Sequence, residues 1–301
     1  MRVTNRAMTN TYLKDVQSNL QSINKLNKQL NSGKEINRVS DNPYDAIKAL
    51  NLQNEVNDVE KYNYNCDEIV GWLNTTDDAL DSIGNIASEI KVLLTSISGA
   101  YGEDEVSAIR SEVNEKMKQI GEALNSSYAG RYIFGGSTTD EPPVEIFEHP
   151  DGTVELRVKD IANEDKLKAD ISAGIGLDYN LTMDQVTDGS KGLDVLNNIT
   201  KELGKIPADT EKLQELNEQL GEYLTHILDS RSAIGARTNT VENVKSNNEE
   251  NILTLKGTYS GIQDVDWAEK YIELTSAQMV YNSCMQVGAK MIQPTLLDYL
   301  R

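Results

Sequence analysis

The side chains that most often carry chemistry are few in this sequence: two histidines, His149 and His226, and two cysteines, Cys66 and Cys284. A general base or a metal ligand works only with partners at fixed spacing. The histidines lie far apart and form no HxxxH pair, so each reads as an ordinary turn or helix-face residue. The cysteines form no CxxC, and two alone make neither a zinc site nor a disulfide framework. Each falls in a helical pattern, where a small buried thiol is the expected state. Lys34, in Ser32-Gly33-Lys34, ends like a phosphate loop, but Lys28 stands at the first glycine position. Glu35 stands where Ser or Thr would hold magnesium. Gly174-Ile-Gly176 lacks the third glycine of a dinucleotide fingerprint, and no EF-hand loop is present. Acid pairs such as Asp77-Asp78 and Glu249-Glu250 are what 26% charged residues produce on solvated helix faces. No catalytic, cofactor-binding or metal-binding residues are therefore assigned, and the chain reads as non-enzymatic.

Charge and composition narrow the class further. The net charge is −19 over 301 residues. Residues 1–40 hold seven Lys/Arg against Asp15 and Glu35, hence +5, which leaves −24 for the remainder. A body that acidic repels phosphate backbones and argues against nucleic-acid binding. The sequence offers no apolar core of a secretory signal and no run near 20 apolar residues, so neither a cleaved signal nor a membrane partner is expected. Only two Phe and two Trp are present. That supply suits slender helices that each bury one stripe.

The elements that would position anything are long helices. Leu13, Val16, Leu20, Ile23, Leu26 and Leu30 recur at spacings of three and four, which predicts an amphipathic N-terminal helix stopped by Gly33. Asn42-Pro43 then reads as an N-cap with proline at the first helical position. Leu52, Val59, Cys66, Leu73, Leu80, Ala87 and Leu94 recur every seven residues, with Tyr62, Ile69, Thr76, Ile83, Ile90 and Ile97 offset by three. This is a coiled-coil pattern, which Gly71 and Gly84 weaken locally. A third helix carries Val106 to Leu124. Val144–Phe147 and Val154–Val158 flank Asp151-Gly152 and predict a hairpin, with extended stretches near 167–171 and 175–181. After a helix near 193–203 and Pro207, a second seam runs through Leu213, Leu220, Ile227, Ile234, Val241, Asn248, Leu255 and Ile262. Asn248 in that seam is expected to fix register. Asp266 caps a last helix with Ile272, Met279, Met285 and Ile292, ending near Pro294.

These pieces predict a mainly α fold: an elongated antiparallel coiled-coil rod with a small β-rich insertion. The expected divisions are an N-terminal assembly helix (1–40), rod halves (41–140 and 206–263), a β-rich outer domain (141–205) and a C-terminal assembly helix (264–301). The terminal helices should emerge together, each with an apolar stripe that a helix pair covers poorly. Leu13, Val16, Leu20, Ile23, Leu30, Ile272, Met279, Met285 and Ile292 are therefore candidates for an assembly interface. A head-to-tail interface that does not close builds a helical polymer.

Several motifs carry a resemblance. Gln29-Leu-Asn-Ser-Gly-Lys-Glu-Ile-Asn-Arg38-Val-Ser-Asp41-Asn-Pro43 resembles the N-terminal motif of the flagellin superfamily. The start, Met1 to Met8, and the stretch Ala129-Gly-Arg-Tyr-Ile-Phe-Gly-Gly-Ser-Thr-Thr-Asp-Glu-Pro-Pro143 are similar to its hook–filament junction branch. Arg231–Asn239 and Asp264–Glu269 match further family patterns. The resemblance covers about residues 1–143 and 225–301. It implies a structural adaptor that joins the flagellar hook to the filament as a ring of its own copies, with the terminal helices as an inner layer. Implied partners are the hook-side junction protein, flagellin and a type III export chaperone. Implied location is the extracellular flagellum, reached through the flagellar type III system without signal cleavage. The alternative within the superfamily is flagellin itself.

Overall fold

The computed structural model describes residues 2–97, 103–159, 165–205 and 209–291. The predicted loop at 99–102, Pro207, Ile292 and the stop at Pro294 lie outside the described residues. The fold is mainly α. In chain order it comprises α1 (Arg2–Ser32), α2 (Pro43–Ser96), α3 (Glu103–Leu124), β1 (Ser127–Tyr128), β2 (Arg131–Tyr132), β3 (Val144–Glu148), β4 (Val154–Val158), β5 (Lys168–Ser172) and β6 (Ile175–Asp178). Then follow α4 (Met183–Thr187), α5 (Lys191–Leu203), α6 (Thr210–Gln263) and α7 (Trp267–Met291). The chain divides into two compact units, one of residues 1–58 with 251–301 and one of residues 59–250.

In the 59–250 unit the expected heptads are the core. Cys66, Leu73, Leu80, Ile83, Ala87 and Ile90 of α2 are buried with Leu220, Tyr223, Ile227, Ile234 and Val241 of α6. The two helices run antiparallel, because Lys245 Nζ meets Asp67 at 2.6 Å while Asn217 meets Thr95 at 3.1 Å. Between those ends Arg231 Nε donates to Asp77 at 2.9 Å and its guanidinium also pairs with Asp81. Both carboxylates raise the Arg231 pKa above its ordinary value, Asp77 foremost. α2 runs unbroken past Gly71 and Gly84. A Cβ on Gly71 would lie 2.3 Å from Tyr128 Oη, so this glycine makes room for a ring rather than a kink.

The strands form three separate antiparallel hairpins rather than one sheet. Val144–Glu148 pairs with Val154–Val158, Val144 opposite Val158, and Gly152 takes φ +81° in the turn. An isolated two-stranded hairpin is marginal, and here asparagine side chains satisfy edge groups of β3, β4 and β5. Asn125 accepts from Val144 N–H at 3.0 Å and donates to its carbonyl at 2.8 Å. Asn197 does the same for Leu156, at 2.9 Å each way. Asn248 is buried but does not set helix register: its amide donates to Ile171 C=O at 2.9 Å and it accepts from Ser172 Oγ at 3.3 Å. It anchors the β5 edge at the bulge. The hairpins and α5 thus share one apolar core with α2, α3 and α6, through Val154, Leu156, Leu196 and Ile199.

The other unit pairs the chain's two end helices. α1 stops at Ser32, with Gly33 at φ +68° as expected of a left-handed cap. Asn42 caps α2, accepting from Asp45 N–H at 3.3 Å. Asp266 caps α7 through Ala268 N–H at 2.9 Å and Glu269 N–H at 3.1 Å. The two interhelix connections are zipped together. Glu35 N–H donates to Gln263 C=O at 2.7 Å, Val265 N–H to Gly33 C=O at 3.1 Å, and Gln263 Nε2 to Ile36 C=O at 2.9 Å.

Candidate assembly interface

α1 and α7 run antiparallel from that zipped turn. Lys270 reaches Glu35 at 3.3 Å near the turn, and Tyr12 Oη lies 3.8 Å from Met285 Sδ near the far end. Half-buried or buried positions on α1 include Tyr12, Val16, Asn19, Ile23, Leu26 and Leu30; on α7 they include Lys270, Leu274, Ala277, Tyr281, Cys284 and Gly288. Both sets follow a four–three alternation, so the pair meets along one coiled-coil seam. Contact is close at its end, where a Cβ on Gly288 would sit 2.0 Å from Tyr12 Oη. Asn19 Nδ2 points at Cys284 Sγ at 3.7 Å. Both cysteines are free thiols, and burial pushes the Cys66 pKa up.

The stripe read from sequence therefore divides. Val16, Ile23 and Leu30 face α7, so another part of the chain does cover them, which the sequence reading did not foresee. Leu13 and Leu20, seven residues apart, stand on the flank of α1 at 52% and 40% exposure. On α7, Ile272 and Met279 are 68% and 69% exposed and fall opposite the seam, while Met285, also exposed, lies beside it. Tyr271, Val280 and Val287 are exposed as well. α7 thus carries apolar side chains all round, the pattern of a helix covered on every side. Tyr12, Asn19, Leu274, Ala277, Cys284 and Gly288 were not anticipated. Their signal was the 12–16–19–23–26–30 alternation, hidden because two of its members are not aliphatic.

The two histidines are held apart from one another. His149 Nε2 lies 3.1 Å from Glu155 Oε2, and His226 Nε2 lies 2.6 Å from Gln185 C=O. Both are tied into the 59–250 unit. Among the described residues no three His, Cys, Asp or Glu side chains cluster as metal ligands, and no helix is long and apolar enough to cross a membrane.

Comparison with known proteins finds likenesses to flagellin and to flagellar hook-associated proteins. The bacterial flagellin N-terminal helical region matches residues 3–139. In fold the chain resembles hook-associated protein 3. A structure described as a flagellar hook-associated protein from Vibrio parahaemolyticus superposes with a TM-score of 0.65 at 21% identity, covering 74% of this chain and 100% of that one. Flagellar hook associated protein-3 of Legionella pneumophila gives 0.59 at 12% identity, covering 70% and 98%. In sequence, the flagellin of Listeria innocua is 22% identical over 297 residues, 97% of this chain and 95% of that protein. At these identities the likeness to the solved structures is one of fold.

Proposed function

We propose that the chain is a structural adaptor of the bacterial flagellum, joining hook to filament by assembling into a ring through its terminal helices. The observation that carries this reading is the set of apolar side chains left uncovered after α1 and α7 have paired: Leu13 and Leu20 on one helix, Ile272 and Met279 on the other. Covering one such side chain fully is worth about 1.5–3 kcal/mol, so a few per subunit suffice to hold neighbours. Its partners are other copies of itself, the hook-side junction protein on one face and flagellin on the other. An export chaperone near the C-terminus and passage through the flagellar type III system without signal cleavage belong to the same reading. The fold shared with hook-associated protein 3 supports it. Leu20→Asp or Ile272→Asp should abolish incorporation into flagella while circular dichroism and the unfolding midpoint of the 59–250 core stay unchanged. Normal incorporation of both variants contradicts the assignment.

The second reading, filament subunit, is favoured by one finding, the near full-length match to a flagellin. The two differ in copy number and place, since a filament subunit lines the whole filament.

A further inference from the structure

The 1–58/251–301 unit also holds a groove of about 220 Å³ away from the α1–α7 seam. Its apolar walls include Ile36, Val39, Leu50 and Tyr259, and its rim carries Lys34 and Arg38. Val39 and Leu50 are 57% and 58% exposed. Lys34 and Arg38 are exposed, and among the described residues neither side chain has an ion-pair partner. An apolar slot with two unpaired cations on its lip fits an apolar side chain flanked by carboxylates.

That complement exists on α6. Glu211, Glu215, Glu218, Glu222 and Asp229 are all exposed, and their spacing places them on one helix face. Among the described residues no cation pairs with Glu218, Glu222 or Asp229. Like charges at this spacing destabilise a helix, so the row has a cost within the chain. Beside it stands Leu228, 62% exposed. Tyr259 of the groove and Leu228 both belong to α6, 31 residues apart in the sequence.

We propose that the groove of one copy receives Leu228, with Glu222 and Asp229, from α6 of a second copy. Lys34 and Arg38 then meet the carboxylates while Leu228 lies against Val39 and Leu50. Because the two patches differ, the contact is heterologous and propagates from copy to copy. It rests on the self-assembly proposed above and names a second surface for it, distinct from the terminal helices.

The test uses the full chain in flagella of the bacterium that makes it. A version with Val39→Cys and Leu228→Cys, in a background of Cys66→Ala and Cys284→Ala checked for an unchanged fold, replaces the native chain. Mild oxidation should give a ladder of disulfide-linked multimers on a denaturing gel, while either single-cysteine version stays monomeric. Adding Lys34→Glu with Arg38→Glu should reduce the ladder at least tenfold, and Glu222→Lys with Asp229→Lys should restore it. Incorporated chain that stays monomeric, links to a different protein, or dimerises through Cys at position 39 alone overturns this contact and leaves the assembly reading standing. Folded chain that never enters flagella overturns both.

Discussion

Asn248 occupies a heptad position in α6 where the pattern calls for an aliphatic side chain, and its amide spends both ends on the β5 edge. Removing a buried group that satisfies a strand carbonyl leaves that carbonyl unpaired, at about 1–3 kcal/mol. Asn248→Leu should therefore lower stability by about that amount in urea unfolding, although it makes the heptad more regular. An unchanged or raised midpoint would mean the bond is dispensable. Glu155 gives a pH-dependent case. Arg157 holds it foremost, against the opposing effect of burial, with His149 and Lys201 adding to the pull, and its carboxyl falls to about 2 from an ordinary 4.5. A carboxyl lowered on folding stabilises fully above its unfolded pKa, and that contribution fades as pH drops through 4.5 toward 2. Glu155→Gln should flatten the loss of thermal stability between pH 5 and pH 2; an identical slope in the variant contradicts the assignment. Both residues show where a sequence stops speaking. Periodicity placed Asn248 on the seam, but its partner lies 77 residues away, and no period encodes which strand arrives there.

Long helices were legible because each repeats one rule many times. The seams of α2 and α6, the caps at Asn42 and Asp266 and the stop at Gly33 all follow from local spacing. Gly71 was less legible for the opposite reason: a missing Cβ says that something is close, not what. Its neighbour is Tyr128, which reaches the helix from a turn of Ala129 and Gly130 at φ +50° and +80°. Gly71→Ala should displace that ring and destabilise the 59–250 unit by about 1–3 kcal/mol, measurable as a lower melting temperature; a neutral variant would show that the ring moves freely. The β3–β4 hairpin was read from its Asp-Gly turn, but the pairing of β5 with β6 was not, because the side chain that holds the β5 edge sits on α6, 77 residues away. Asn197→Ala strips Leu156 of both edge partners. It should speed amide exchange at Leu156 and cost about 1–3 kcal/mol, whereas native-like protection there would mean another group takes over.

For the whole molecule, the sequence located the terminal helices and their apolar character but not how they divide their faces. Leu13 and Leu20 look equivalent to Val16 and Ile23 in a list of aliphatic positions, and only the antiparallel partner sorts them. What remains uncovered is of several kinds: apolar rows on α1 and α7, a groove with Lys34 and Arg38 on its rim, and an acidic face on α6. Contacts that include Lys34 and Arg38 at an exposed rim should weaken as salt rises, since charges there are screened within about 8 Å at physiological ionic strength.

The most direct measurement is immunogold electron microscopy of intact flagella with antibody raised against residues 144–200. The account predicts gold confined to a narrow band where hook meets filament. Gold along the entire filament would make this chain a filament subunit, and flagella without gold would contradict the flagellar role altogether.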